Sequence, residues 1–277
     1  MKPLISVADL AANPSDYLIF DCRFSLADVD LGLAQHRASR IPGARYVHLE
    51  DHLSGAILPG RTGRHPLPEP AAFIDTLRQL GINHDSRIVA YDDGPGATAG
   101  RLWWMLRWQG HAHVQVLDGG FANWLATGQS IDESLANETA PAPGNFTSGT
   151  PLTRLVAAND LAPYAGTLID ARDASRFRGE NEPIDPIAGH IPGAISMPFT
   201  ENLVEGTFRS GADLAARYAA QSIAAHDSDI ACYCGSGVTA IHHILAMVQA
   251  GLTEPALYPG SWSEWITDPE RDIATGD

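Results

Sequence analysis

Cysteine is scarce in this chain of 277 residues: Cys22, Cys232 and Cys234 are all it contains. Three thiols, unevenly placed, are too few for a disulfide framework in a chain of this length, so they are expected to be free. Long apolar runs are missing too. No window approaches the roughly 18 apolar residues of a membrane helix, and the opening Met1-Lys2-Pro3-Leu4-Ile5-Ser6 lacks the apolar stretch of a secretory leader. The expected address is cytoplasmic, and the sequon Asn145-Phe146-Thr147 reads as a chance match. Positive charge is in short supply, with 18 Lys plus Arg against 33 Asp plus Glu and a net charge of −15. A field of that sign repels polyphosphate and anionic lipid, which argues against nucleic acid and membrane surfaces as partners. A small anionic substrate requires a local cluster of arginines. What the chain does have is 44% hydrophobic and 18% charged residues, the composition of a globular protein of one or two domains.

The chain contains itself twice. Ile41-Pro42-Gly43-Ala44 recurs as Ile191-Pro192-Gly193-Ala194. Upstream, Leu18-Ile19-Phe20-Asp21-Cys22-Arg23 answers Leu168-Ile169-Asp170-Ala171-Arg172, two apolar runs that each close in Asp-x-Arg and read as strands. Downstream, Arg87 to Asp92 answers Asp229 to Cys234, and Gly119-Gly120-Phe121-Ala122-Asn123-Trp124 answers Gly260-Ser261-Trp262-Ser263-Glu264-Trp265. Four matches in the same order indicate a duplication. Between them, strand-like runs alternate with helical stretches at 71–81, 99–110, 211–225 and 238–251, the pattern of an α/β fold with a parallel sheet in each half. The tract 128–149, rich in Ala, Pro, Gly, Asn and Thr, reads as a linker, with the boundary near residue 145. Aligning Tyr91 with Tyr233 sets Asp92 opposite Cys234, so one copy has a nucleophile where the other has a carboxylate.

Cys234 stands in a strand, loop and helix unit: a strand at 230–233, the turn Cys234-Gly235-Ser236-Gly237, then a helix from Val238. The glycines permit a tight arc in which successive N–H groups and the positive helix end converge on the sulfur. Such a thiol is acidified and reactive, and the small residues around it leave room for a second sulfur atom. Free cysteines are often small buried hydrophobes, and that reading suits Cys22 and Cys232, which lie within apolar runs. Zinc is not expected: Cys232-x-Cys234 is spaced too closely, and the helix carries His242 and His243 away. A phosphatase loop needs an arginine six residues after the cysteine, where this chain has Ala240, and there is no Cys-x-x-Cys redox pair.

At these residues the chain resembles the tandem-domain rhodanese superfamily, over nearly its whole length. The resemblance implies an α/β fold of two tandem rhodanese-like domains, each a parallel sheet flanked by helices. An N-terminal domain at 1–130 lacks the catalytic cysteine and carries Asp92 in its place; a linker follows at 131–150 and a catalytic domain at 151–277. It implies sulfur transfer through a Cys234 persulfide. The uncharged loop Cys-Gly-Ser-Gly-Val-Thr is similar to that of members using 3-mercaptopyruvate, whereas thiosulfate-specific members place basic residues after the cysteine. Thiosulfate as donor is the nearest alternative; a non-catalytic persulfide carrier or binding module of the same fold is an alternative of another class. By resemblance, Arg176 binds the donor's carboxylate; in the mechanism expected here Ser236 hydrogen-bonds the donor's carbonyl or enolate oxygen, and the backbone N–H groups from Gly235 to Thr239, those of Gly235, Gly237, Val238 and Thr239 among them, hold the negative sulfur. Arg172 pairs structurally with a carboxylate. A second substrate arginine found in many members is missing from Glu182-Pro183-Ile184-Asp185-Pro186. Arg40 occupies the position of a family histidine that some members are proposed to pair with the loop serine, so no serine–histidine relay is expected, and Arg40 is assigned instead to the positive charge of the cleft. His190 and the tryptophans Trp103, Trp104, Trp108, Trp124 and Trp265 read as packing residues. No cofactor or metal is implied. The partners are a small anionic sulfur donor and a thiol acceptor, such as a thioredoxin-like protein or a small thiol, and the two fused repeats suggest a monomer.

Overall fold

The computed structural model describes residues 2–134, 141–161 and 163–277. The chain divides into two compact units. The first comprises Met1–Ser54, Pro68–Leu152 and Glu205–Thr207, and the second comprises Gly55–Leu67, Thr153–Val204 and Phe208–Asp277.

The first unit is built on a five-stranded sheet in the spatial order Leu4–Ile5, Val114–Leu117, Ile88–Tyr91, Leu18–Asp21, Arg45–Tyr46, with every pairing parallel. The strand Ile88–Tyr91 is buried throughout, as expected of a parallel strand covered on both faces, which explains its continuous apolar run. The helices Pro70–Gln79, Ala97–Trp108 and Gly120–Ala126 flank the sheet. Trp103 and Trp104 are buried on the second of these, and Trp108 stacks against Trp104 with ring centroids 6.2 Å apart.

The second unit repeats the order with one strand fewer: Ala256–Leu257, Ile230–Tyr233, Thr167–Asp170, Ala194–Ser196, again all parallel. An isolated parallel bridge from Leu155 to Leu257 stands where the first unit has the pairing of Leu4–Ile5 with Val114–Leu117. The duplication extends to single bonds. In each unit the aspartate closing the strand receives the arginine two residues on, Arg23 on Asp21 and Arg172 on Asp170, both at 2.6 Å. Each tyrosine hydroxyl, on Tyr91 and Tyr233, accepts the main-chain N–H of the repeated isoleucine, Ile41 or Ile191. His190 is buried, stacks on Phe177 at 3.6 Å between ring centroids and bonds the Phe177 carbonyl at 2.8 Å, so it packs the turn.

Two stretches sit differently from the sequence expectation. The described residues of the expected linker lie along the first unit: Gly144 donates to Arg78 O, Phe146 is buried and donates to Ile82 O, and Gly149 donates to Gln109 O. Phe146 supplies the apolar anchor that the composition of the tract conceals. Residues 135–140 of that linker lie outside the described residues. The segment Gly55–Leu67, expected in the first domain, is counted in the second unit.

Candidate active site

The strand Ile230–Tyr233 delivers Cys234 to its end, and the helix Ile241–Gln249 begins seven residues on. The helix was expected from Val238. It starts later because residues 235–240 form the loop that closes around the sulfur. Gly237 makes this loop possible: its φ is +76°, and a Cβ there would stand 2.2 Å from the carbonyl oxygen of Pro259, so only glycine fits. The helix Ser261–Trp265 clamps the other side. Cys234 N–H donates to Ser261 Oγ at 3.1 Å, and the N–H groups of Trp262 and Ser263 donate to the carbonyls of Cys234 and Gly235, both at 2.9 Å.

Cys234 is 2% exposed. Burial alone pushes its thiol pKa up, but the Thr239 hydroxyl and the N–H groups of Ser236, Ala240 and Val238 outweigh it, and the net shift is downward from the ordinary 9.0. Gly237 N–H lies 3.2 Å from Sγ. The ring of donors therefore favours the thiolate over the thiol. The contribution expected from the backbone of Thr239 comes from its side chain instead. Cys22 and Cys232 show the contrast, since burial without such donors raises both.

The first unit holds the same loop with a different anion in it. Asp92 stands where Cys234 does, and its carboxylate accepts from the N–H groups of Gly94, Gly96, Thr98 and Ala99 at 2.9 to 3.2 Å, and from the Thr98 hydroxyl at 3.2 Å. The N–H of Phe121 donates to Asp92 O as that of Trp262 does to Cys234 O. The cradle is built for negative charge in both copies, and carbon-bound oxygen fills it in one.

Ser236 is buried, and its Oγ lies 2.8 Å from Nδ1 of His65. This corrects the expectation that no histidine meets the loop serine. Arg40, assigned to the cleft, is otherwise occupied within the first unit: its guanidinium donates to Asp132 at 2.7 Å, to the Ser134 carbonyl at 3.2 Å and to the His36 carbonyl at 3.3 Å. It is buried and ties the end of the helix Leu31–Ala38 to residues 132–134.

Arg176 does reach the loop. Its terminal nitrogens stand 3.6 and 3.7 Å from the point a Cβ on Gly235 would occupy, and Nη2 of Arg64 stands 2.8 Å from it. Two buried carboxylates share the cluster. Glu182 receives Arg176 at 2.7 Å and Arg172 at 3.3 Å, and Asp185 binds both Arg176, at 3.1 Å, and Arg64. Arg178 lies apart, in an exposed pair with Glu180. Sequence reasoning missed Arg64 and His65 because they sit in an aperiodic tract, Gly60-Arg61-Thr62-Gly63-Arg64-His65-Pro66. The available signal was the repeat offset, which is 150 at Ile41 and Ile191 but 142 at Tyr91 and Tyr233. The first copy therefore carries extra residues in this interval. Among the described residues, no group of His, Cys, Asp and Glu is arranged to hold a metal ion.

Two parallel α/β units with a cradle of donors at the end of the corresponding strand in each define a duplicated fold, with a sulfur in one cradle and a carboxylate in the other. The model of the rhodanese-like domain matches residues 6–127 and again 152–268, and the chain belongs to that family. It is 45% identical over 282 residues to a probable 3-mercaptopyruvate sulfurtransferase of Pseudomonas aeruginosa, covering 99% of this chain and 98% of the relative. A putative thiosulfate sulfurtransferase of Mycobacterium tuberculosis is 40% identical over 284 residues, covering 99% of this chain and 97% of the relative. Among solved structures, a 3-mercaptopyruvate sulfurtransferase from Leishmania major superposes with a TM-score of 0.84 at 33% identity, over 95% of this chain and 74% of that one. Among the described residues, no helix is long and apolar enough to cross a membrane.

Proposed function

We propose that the second unit moves sulfane sulfur from 3-mercaptopyruvate, through a persulfide on Cys234, to a thiol acceptor such as a thioredoxin-like protein or a small thiol, with cyanide serving in an assay. The observation that carries this reading is the ring of N–H and hydroxyl donors that lowers the Cys234 pKa despite full burial.

The Cys234 thiolate attacks the donor's sulfur. The carbon–sulfur bond breaks, its electron pair passes into the enolate of pyruvate, and the proton from the donor's thiol ends on the methyl carbon. Pyruvate leaves, and the enzyme keeps an anionic persulfide that the same donors stabilise. With its proton on Nδ1, His65 donates to Ser236 Oγ, which frees the serine hydroxyl hydrogen for the enolate oxygen. A second thiolate then attacks the outer sulfur and restores Cys234. Three free cysteines suit a reducing, cytoplasmic setting.

Intact mass after exposure to 3-mercaptopyruvate tests the intermediate. One added sulfur, removed by reductant and mapped to Cys234, is expected, and Cys234→Ser gains none. Sulfur release that survives in Cys234→Ser sinks the proposal. Thiosulfate is the second reading, favoured by the name of the relative at 40% identity. It is opposed by Glu182 and Asp185, whose charges offset those of Arg176 and Arg64 and so reduce the pull on a dianion. A higher kcat/KM for 3-mercaptopyruvate than for thiosulfate is expected; the reverse order would select thiosulfate.

A further inference from the structure

The loop at Cys234 adds no charge beyond that of the sulfur, for Gly235, Ser236 and Gly237 are neutral. The charge that an incoming anion meets is therefore set by the side chains converging on Gly235. There Arg64 and Arg176 are matched by Asp185 and Glu182, and the two carboxylates are placed differently. Glu182 is saturated. It accepts from Nε and Nη2 of Arg176 at 2.7 to 3.1 Å, from Nη1 of Arg172 at 3.3 Å, and from the N–H groups of Ile184 and Asp185 at 3.1 and 3.0 Å. Asp185 gives one oxygen to each arginine that reaches Gly235: Oδ1 accepts from Nη1 of Arg64, and Oδ2 from Nη2 of Arg176 at 3.1 Å. With Arg64, Ile184 and Ser263 it also lines a cleft of about 380 Å³. Burial holds the Asp185 carboxyl above the ordinary carboxylate range against the pull of Arg64. Burial acts the same way on Glu182, but the bonds from Arg176 and the N–H groups outweigh it and the net shift is downward. Fewer fixed donors satisfy Asp185, so more of its charge is felt by whatever enters the cleft.

We infer that Asp185 sets the charge of the donor this site accepts: lodged between the two arginines, it leaves enough positive field for a monoanion and too little for a dianion. At neutral pH 3-mercaptopyruvate brings one carboxylate charge, whereas thiosulfate and sulfate bring two. The second charge gains little where each arginine already holds an anion, and it meets the like charge of Asp185 at close range in an enclosed setting. Asp185 acts through the arginines, as a specificity-determining residue, while Glu182 fixes Arg176 from behind.

This inference rests on sulfur transfer at Cys234, and the test separates the two. At constant ionic strength, protection of Cys234 from iodoacetamide is titrated with pyruvate, a monoanion, and with sulfate, a dianion. kcat/KM is measured alongside for 3-mercaptopyruvate and for thiosulfate, with cyanide as acceptor. In the wild type pyruvate is expected to protect at lower concentration than sulfate. Asp185→Asn keeps the shape and drops the charge. It should tighten protection by sulfate relative to pyruvate by about 10- to 100-fold, the scale of one partly buried charge, and move the kcat/KM ratio toward thiosulfate by a like factor. Asp185→Glu restores the wild-type order, and Asp185→Ser carries the test should Asp185→Asn fail to fold. Asp75→Asn, the same loss of charge on an exposed face of the first unit's helix Pro70–Gln79, leaves both ratios unchanged. Unchanged ratios in Asp185→Asn, or equal losses for both anions, would make Asp185 a mere anchor for the arginines and overturn the inference while leaving sulfur transfer standing. A sulfate shift in a protein that forms no persulfide preserves the charge selector and removes the sulfur-transfer reading.

Discussion

The donors around Cys234 favour its thiolate over its thiol despite burial, and Thr239 is the side chain that contributes most after burial itself. The ultraviolet thiolate signal, taken as wild type minus Cys234→Ser, is expected to titrate below the ordinary thiol value of 9.0. Thr239→Val should move that midpoint upward and lower kcat/KM at neutral pH by about 10-fold, the scale of one hydrogen bond to a charged group. The sign follows from the depressed pKa. The stabilisation of the folded protein by this thiolate is present above the unfolded thiol's pKa and is lost as pH falls through the lower, folded value. A titration unmoved by Thr239→Val would remove the hydroxyl from the account. Ser236 and His65 share one bond at 2.8 Å, so Ser236→Ala and His65→Ala should each lower kcat by about 10²-fold. The double variant should fall little further, since both break the same contact; multiplicative losses would show that the two act separately.

The loop at the strand end is the element both copies share, and the first copy shows how firmly it holds an anion. Asp92→Ala would leave four N–H donors, two of them buried, and a hydroxyl without their acceptor. A loss of about 2–4 kcal/mol in urea unfolding is expected, with persulfide formation on Cys234 retained. A neutral effect on stability would mean that water replaces the carboxylate. Elements of this kind were legible in the sequence because their causes are local. Apolar runs ending in Asp-x-Arg mark the strands, and Cys-Gly-Ser-Gly marks a turn that only glycine can close. The start of the helix after Cys234 was less legible, because the loop takes Val238 and Thr239 for the sulfur, a demand set by tertiary geometry. The partners of Ser236 and Gly235 were not legible at all. Arg64 and His65 are each 171 residues from the loop residue they meet, Gly235 and Ser236 respectively, and no periodicity records a contact across that distance.

At the scale of the molecule, the net charge of −15 opposes the approach of an anionic donor to a site whose arginines are largely offset by their own carboxylates. Added salt screens that repulsion. kcat/KM for 3-mercaptopyruvate is therefore expected to rise with ionic strength at the low-salt end, whereas a fall would mean that the local arginines dominate the encounter. One expected source of acid sensitivity lies inside the second unit. His243 is buried against the Tyr218 hydroxyl and the Met197 carbonyl, at 2.8 and 2.6 Å. Burial first, and then the charge of Arg217, lower its pKa from 6.5 to about 3. The unfolded chain takes up this proton before the folded one does, so stability should decline as pH falls from 6.5 toward about 3. His243→Gln should flatten that limb of the unfolding curve; an unchanged slope would assign the acid sensitivity to the carboxylates.

The short stretch Gly55–Leu67 has changed sides: translated with the first copy, it is counted in the body of the second. Severing the chain after Leu152 would free a C-terminal piece that keeps its thiol but lacks both the imidazole beside Ser236 and the Arg64 guanidinium beside Gly235. Such a piece should regain speed only when supplied with the missing peptide. With thirteen residues of its first copy counted in the second unit, the chain makes the copy that holds Asp92 indispensable to the one that holds Cys234.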